Sequence, residues 1–117
     1  MRKVTLRCGT VSTLAGNGEA GYADAIGAAA RFAHPIDIAV DAQGAIFVAD
    51  FGNHCLRQVV PSTGEVSTLA GDAEEGGFAD GHGATARFKN PSGLALDTDG
   101  HLIVADCENH CIRKVTT

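Results

Sequence analysis

Two histidines, two aspartates and a pair of cysteines have the types and spacing that could do chemistry in this chain. His54 and His110 each follow an asparagine, Asn53 and Asn109, and an aspartate, Asp50 or Asp106, stands three residues before each asparagine. An imidazole titrates near neutrality, which invites a catalytic reading. Both sets recur at matching places, however, whereas a central pocket would draw different roles from different units. The expectation is therefore a hairpin held by hydrogen bonds in each unit, with Asp50 and Asp106 as turn caps and not general acids. Cys107-x-x-x-Cys111 encloses His110 and superficially resembles half a zinc site, but no second ligand pair backs it. Cys55 and Cys111 are equivalent positions in separate units, too far apart to bridge, so free thiols are expected for Cys8, Cys55, Cys107 and Cys111. Reduced thiols favour a cytoplasmic setting, although the compartment stays open.

The elements that hold these residues come from a sequence written twice. Val11-Ser-Thr-Leu-Ala-Gly16 returns as Val66-Ser-Thr-Leu-Ala-Gly71, an offset of 55 that becomes 56 by Arg31-Phe32 and Arg87-Phe88, with Gly76 as the inserted residue. Aligning 11–59 with 66–115 gives 27 identical pairs, so the units are copies of one supersecondary design. Apolar residues alternate with a period near two, and Gly, Pro, Asn and Asp clusters break the pattern at short, even intervals. That predicts short antiparallel strands at 36–40, 46–49, 54–60 and 65–70, then at 92–96, 102–105 and 110–116. Asp41-Ala-Gln-Gly44 and Asp97-Thr-Asp-Gly100 supply turn chemistry. Stretches 26–31 and 82–87 read as ordered loops with room for one helical turn. Phe32 and Phe88 are expected to plug the gaps between units. A four-stranded meander cannot cover its own apolar face, so identical meanders side by side predict an all-β fold of β-propeller blades. The units are 11–65 and 66–117, the second lacking its last strand, with 1–10 a partial strand of a preceding blade.

The string Pro-x-x-(Ile/Leu)-Ala-(Val/Leu)-Asp, a glycine turn, an apolar-Val-Ala-Asp strand and then Asn53-His54-Cys55-Leu56 or Asn109-His110-Cys111-Ile112 resembles the NHL repeat family. The resemblance covers nearly the whole chain and implies a propeller, commonly of six blades, that presents loop-rich faces to protein partners; some members bind RNA and some carry a channel metal. This chain holds two blades. Met1-Arg-Lys-Val-Thr5 also repeats Ile112-Arg-Lys-Val-Thr116, and neither end shows a polar cap. A fragment, or an engineered or oligomerising two-blade unit, is the expectation, with a homotrimer favoured because three chains of two blades would close a ring of six. The overlap at 1–6 is awkward for that ring, since two copies of one strand would compete for a single slot.

Where the copies disagree, His34 stands against Asn90 and Asp37 against Gly93. Both flank the innermost strand, so His34 and Asp37 are the candidate binding residues of a central channel, where a ring would repeat them about its axis. No catalytic residue, metal ligand or cofactor is assigned. Charge argues against nucleic acid: the chain carries −5 at neutral pH, and Arg2, Lys3, Arg57, Arg113 and Lys114 lie on third strands without interleaved aromatics. Loops 17–24 and 72–80 concentrate carboxylates without the ligand spacing of a calcium loop. No apolar run approaches the roughly 20 residues of a membrane span, and no secretory signal is visible. The reading that results is a non-enzymatic scaffold or protein-binding module that self-assembles. Its alternatives are a metal-dependent hydrolase or lyase fragment and, more weakly, an RNA-binding domain.

Overall fold

A computed structural model describes residues 1–5 and 8–117; of the partial strand expected at 1–10, Leu6 and Arg7 lie outside the described residues. The described residues form antiparallel sheets of two, four and three strands. The first pairs β1 (Arg2–Thr5) with β2 (Thr10–Thr13). The second is a complete meander of β3 (Pro35–Val40), β4 (Ile46–Asp50), β5 (Cys55–Val60) and β6 (Glu65–Gly71). The third contains β7 (Pro91–Leu96), β8 (Leu102–Asp106) and β9 (Cys111–Val115). Each sheet follows the order of the sequence, as blades of a β-propeller do.

Local chemistry sets the ends of these strands. His54 and His110 were expected to begin third strands, yet both stand just outside them in the left-handed conformation, at φ 53° and 55°. Single 3-10 turns at Phe51–Asn53 and Cys107–Asn109 need a left-handed residue to turn the chain back into the sheet, and polar side chains tolerate that region better than β-branched ones do. The loops at 26–31 and 82–87 also contain one 3-10 turn each, Gly27–Ala29 and Gly83–Thr85. Inner strands β3 and β7 bulge after Pro35 and Pro91, the positions at which a residue without an N–H costs the ladder least.

Alternation along β4 decides how the blades stack. Phe47 and Ala49 face blade two and join Leu56, Ala70, Ala86, Phe88, Leu102 and Val104 in one buried cluster. Ile46 and Val48 face the opposite way and pack with Ala15, Ala30, Phe32, Val59 and Val66. Phe32 and Phe88 thus fill the spaces between neighbouring sheets. Truncating Phe88 to alanine should lower stability by about 3–5 kcal/mol, because the ring is wedged between two sheets that cannot both collapse onto the void; urea denaturation provides the measurement, and a loss below about 1 kcal/mol would deny the ring that role.

Candidate functional site

Each blade is braced by the same constellation, and it uses the residues that looked reactive. Asp50 is fully buried at the end of β4. One carboxylate oxygen accepts the Ala33 N–H at 2.8 Å, and the other accepts Asn53 Nδ2 at 2.8 Å and Arg57 Nη1 at 2.7 Å. Asn53 also donates to the Gly21 carbonyl at 2.8 Å. Arg57, itself fully buried on β5, reaches the Asp24 carboxylate at 2.7 Å and the carbonyls of Ala23 and Arg31. Its guanidinium lies between the rings of Tyr22 and Phe32, 4.7 and 4.9 Å from their centroids. Blade two repeats the arrangement with Asp106, Asn109, Arg113 and Asp80, Arg113 lying between Phe78 and Phe88.

The electrostatics follow from that packing. Burial alone would pull the Arg57 guanidinium down, but hydrogen bonds and charge from Asp24 and Asp50 outweigh it and hold the group above its ordinary value. Asp50 and Asp106 are therefore more than turn caps: each ties the long loop that precedes its own inner strand to the third strand of its sheet. Arg57 and Arg113 lie on third strands whose own residues include no aromatic, and the rings they meet come from the preceding loops. Both are buried and both stack on aromatics, which takes them out of reach of a phosphate backbone. The signal that could have found them is an arginine repeated seven residues after a repeated aspartate on an apolar strand.

A second set of contacts joins the blades. The main-chain N–H of Asn90 donates to His54 Nδ1 at 3.1 Å, and the Asn90 side-chain amide donates to the Phe51 carbonyl at 3.0 Å. Gly76, the inserted residue, lies against the His54 ring, where a Cβ would come within 3.0 Å of it. His54 is thus a seam residue, whereas its copy His110 is exposed. Of the two channel candidates, Asp37 is half-buried and accepts the N–H of Ile38 at 2.9 Å and of Leu94, across the seam, at 2.8 Å. His34 is exposed with φ 52° and borders a groove of about 850 Å³ with Met1, Leu14, Gly16 and Phe32. Asp37 thus reaches blade two, whereas His34 borders the groove beside Met1.

Cys8, Cys55, Cys107 and Cys111 are free thiols. Burial, with Asp50 nearby, pushes the Cys55 thiol up to about 12. Cys8 is exposed and lies 3.0 Å from the Thr10 hydroxyl, a contact that lowers its pKa. Among the described residues no three His, Cys, Asp or Glu side chains gather closely enough to hold a metal ion, so Cys107 and Cys111 recruit no further ligands. No described helix is long and apolar enough to cross a membrane.

Comparison with known proteins matches the NHL repeat at residues 32–59 and 88–115, ranges that include Asp50, Asn53 and Arg57 with their copies Asp106, Asn109 and Arg113. The chain is 37% identical over 92 residues to SUPPRESSOR OF QUENCHING 1, a chloroplastic protein of Arabidopsis thaliana, covering 79% of this chain and 9% of that one. It is 33% identical over 123 residues to NHL repeat-containing protein 2 of Bos taurus, covering 97% of this chain and 17% of that one. An auxiliary nutrient binding protein from Bacteroides thetaiotaomicron superposes with a TM-score of 0.79 at 25% identity, over 98% of this chain and 31% of that one. The chain thus spans less than a fifth of the length of these curated relatives.

Two measurements follow from the brace and the thiols. Arg57→Ala leaves Asp50 and Asp24 without their cation and should cost about 3–5 kcal/mol in denaturant titration, while Arg2→Ala, on the exposed β1, should stay within about 0.5 kcal/mol. Alkylation of the folded chain near pH 8 should label Cys8 and leave Cys55 unmodified until denaturant is added; labelling of native Cys55 at a comparable rate would contradict its burial.

Proposed function

We propose that this chain, which belongs to the NHL repeat family, works as a non-enzymatic β-propeller module that binds protein partners and completes its ring by associating with copies of itself, a homotrimer of six blades being the favoured form. The observation that carries this is the asymmetry of the apolar faces. In the seam between the blades, Leu94 and Leu96 of β7 pack against blade one, and Leu56 of β5 is fully buried. Their copies lie on the two outward faces: Ile38 and Val40 of β3 are each 52% exposed, and Ile112 of β9 is 70% exposed. The outward faces therefore carry the two complementary halves of a seam that the chain already closes once. A heterologous contact of this kind repeats head to tail and closes when the rotation per chain divides the circle.

Support for a binding role over catalysis comes from how the polar residues are used. Asp50, Asn53 and Arg57, with their copies Asp106, Asn109 and Arg113, are committed to bracing, and His54 is committed to the seam. A family resemblance to modules that present loops to protein partners points the same way, and one neighbour in fold is a nutrient binding protein. RNA binding is disfavoured by a net charge of −5 and by the burial of Arg57 and Arg113.

Native mass spectrometry and light scattering across a concentration series test the association. Species at three times the 12.0 kDa chain mass that grow in with concentration are expected. A cooperative melting 12 kDa monomer at every concentration would overturn the ring.

A further inference from the structure

We infer that Asn17 is a self-modification site: the folded chain converts this side-chain amide to a carboxylate, through a cyclic imide formed with Gly18, and Arg31 receives the new charge. The chain holds four asparagines, and their surroundings set one apart. Asn53 and Asn109 commit their amide nitrogens to Asp50 and Asp106 and to the carbonyls of Gly21 and Gly77. Asn90 precedes Pro91, whose nitrogen carries no hydrogen and cannot attack. Asn17 is exposed and precedes Gly18. Among the described residues neither its amide nitrogen nor the Gly18 N–H has a hydrogen-bond partner. Both reacting nitrogens are therefore free.

The turn supplies the rest of the chemistry. Gly18 holds φ 91°, in the left-handed region that glycine enters without strain, and a Cβ built there would meet nothing within 4 Å, so the approach to Asn17 Cγ is open. The Glu19 N–H donates to Asn17 Oδ1 at 3.0 Å. That donor faces the oxygen on which negative charge gathers as the ring closes, as an oxyanion hole does in acyl transfer. Hydroxide takes the Gly18 amide proton and the nitrogen attacks Asn17 Cγ; the new C–N bond forms, the Cγ–Nδ2 bond breaks, and ammonia leaves with a proton from water. Water then opens the imide at either carbonyl. Opening at the main-chain carbonyl leaves isoaspartate, with the chain rerouted through Cγ, and opening at Cγ leaves aspartate. One water enters, one ammonia departs, and nothing is oxidised or reduced.

Blade two shows that the fold accepts the product. Asp72, the copy of Asn17, is already a carboxylate: its Oδ1 accepts the Glu74 N–H at 2.9 Å, as Asn17 accepts that of Glu19, and its Oδ2 lies 3.4 Å from Arg87 Nη2. Arg31 is the copy of Arg87 and pairs with Glu19 at 3.7 Å. An aspartate at position 17 therefore repeats an ion pair that the second repeat makes. Asp72 keeps 35% of its side-chain surface although its loop lies against the His54 ring of blade one at Gly76, so exposure at this position does not depend on what stands beside β2. A half-exposed pair adds little stability, and the change is one of charge and backbone path on a loop.

Incubating the folded chain in mildly alkaline buffer made with heavy-oxygen water, then digesting it and reading the peptides by mass spectrometry, tests the site; ion exchange follows the added negative charge, with Asn17→Asp as the reference peak. Heavy oxygen is expected at position 17, with isoaspartate exceeding aspartate, while the peptides of Asn53, Asn90 and Asn109 stay unlabelled. Labelling of Asn53 or Asn109 at the rate of Asn17 would overturn the assignment. A parallel sample in urea gives the unfolded rate. Conversion of Asn17 in the folded chain should stay within about tenfold of that rate, because the aligned donor offsets the freedom the turn removes; a folded rate further below it would mean that the turn protects the amide, and would overturn the proposal. For the receiving group, the new carboxyl of Asn17→Asp, followed by NMR, should titrate lower than it does when Arg31→Gln is added, and equal titrations would remove Arg31 from that part.

Discussion

The buried contact between Asp50 and Arg57, with its copy between Asp106 and Arg113, is the interaction on which the rest of the structure depends. A carboxylate and a guanidinium taken out of water must be fully satisfied, because an unmatched charge in that position costs several kcal/mol. Here the pair is completed by Asn53, by Asp24, by two loop carbonyls and by the N–H of Ala33, and no buried side-chain nitrogen or oxygen among the described residues lacks a partner. Apart from Asn53, in the turn between β4 and β5, those partners come from the loop between β2 and β3. The loop must therefore lie across the face of its own blade, and doing so delivers Phe32 or Phe88 into the space between sheets. Polar bracing and apolar packing are set by one folding decision.

Much of this was legible in the sequence because a repeat constrains more than a single segment does. The period-two pattern and the Asp-x-x-Gly turns place β3, β4, β6, β7 and β8 to within a residue or two, and a Phe between Arg and Pro in both copies identifies the plugs. The brace was only half visible. Asp50 and Asn53 look like ordinary turn residues, since Asp and Asn satisfy backbone groups in many turns, and only the burial of a carboxylate reveals that a cation must accompany it. Arg57 sits on an alternating strand next to Leu56 and Gln58, where an arginine commonly faces solvent. The αL geometry of His54 escaped for a different reason: left-handed residues are set by how a 3-10 turn re-enters a sheet, and although histidine is enriched in that region the enrichment alone does not mark a position.

The positions at which the repeats differ gain meaning only once the seam is known. His34 and Asn90 share a left-handed backbone conformation, so the fold asks for that geometry at both places and leaves the side chain free to vary. Asn90 uses its freedom to hold the neighbouring blade through the Phe51 carbonyl. Asp37 holds blade two through the Leu94 N–H, whereas Gly93, its copy, has no side chain with which to hold a blade in turn. The two repeats therefore use equivalent positions differently.

That inequality has a mechanical consequence. The seam inside the chain has a carboxylate braced across it, a histidine acceptor, an asparagine donor and a phenylalanine plug, and the two halves are covalently connected. A blade docking on β9 meets Ile103, Ala105 and Ile112, finds the acceptor of His110, and meets Gly93 where the carboxylate would be. Apolar burial of the Ile112 face would favour such a contact in proportion to the area covered, but the directional bond across the inner strands is missing. The seam between the two blades is thus held by directional bonds as well as by apolar packing.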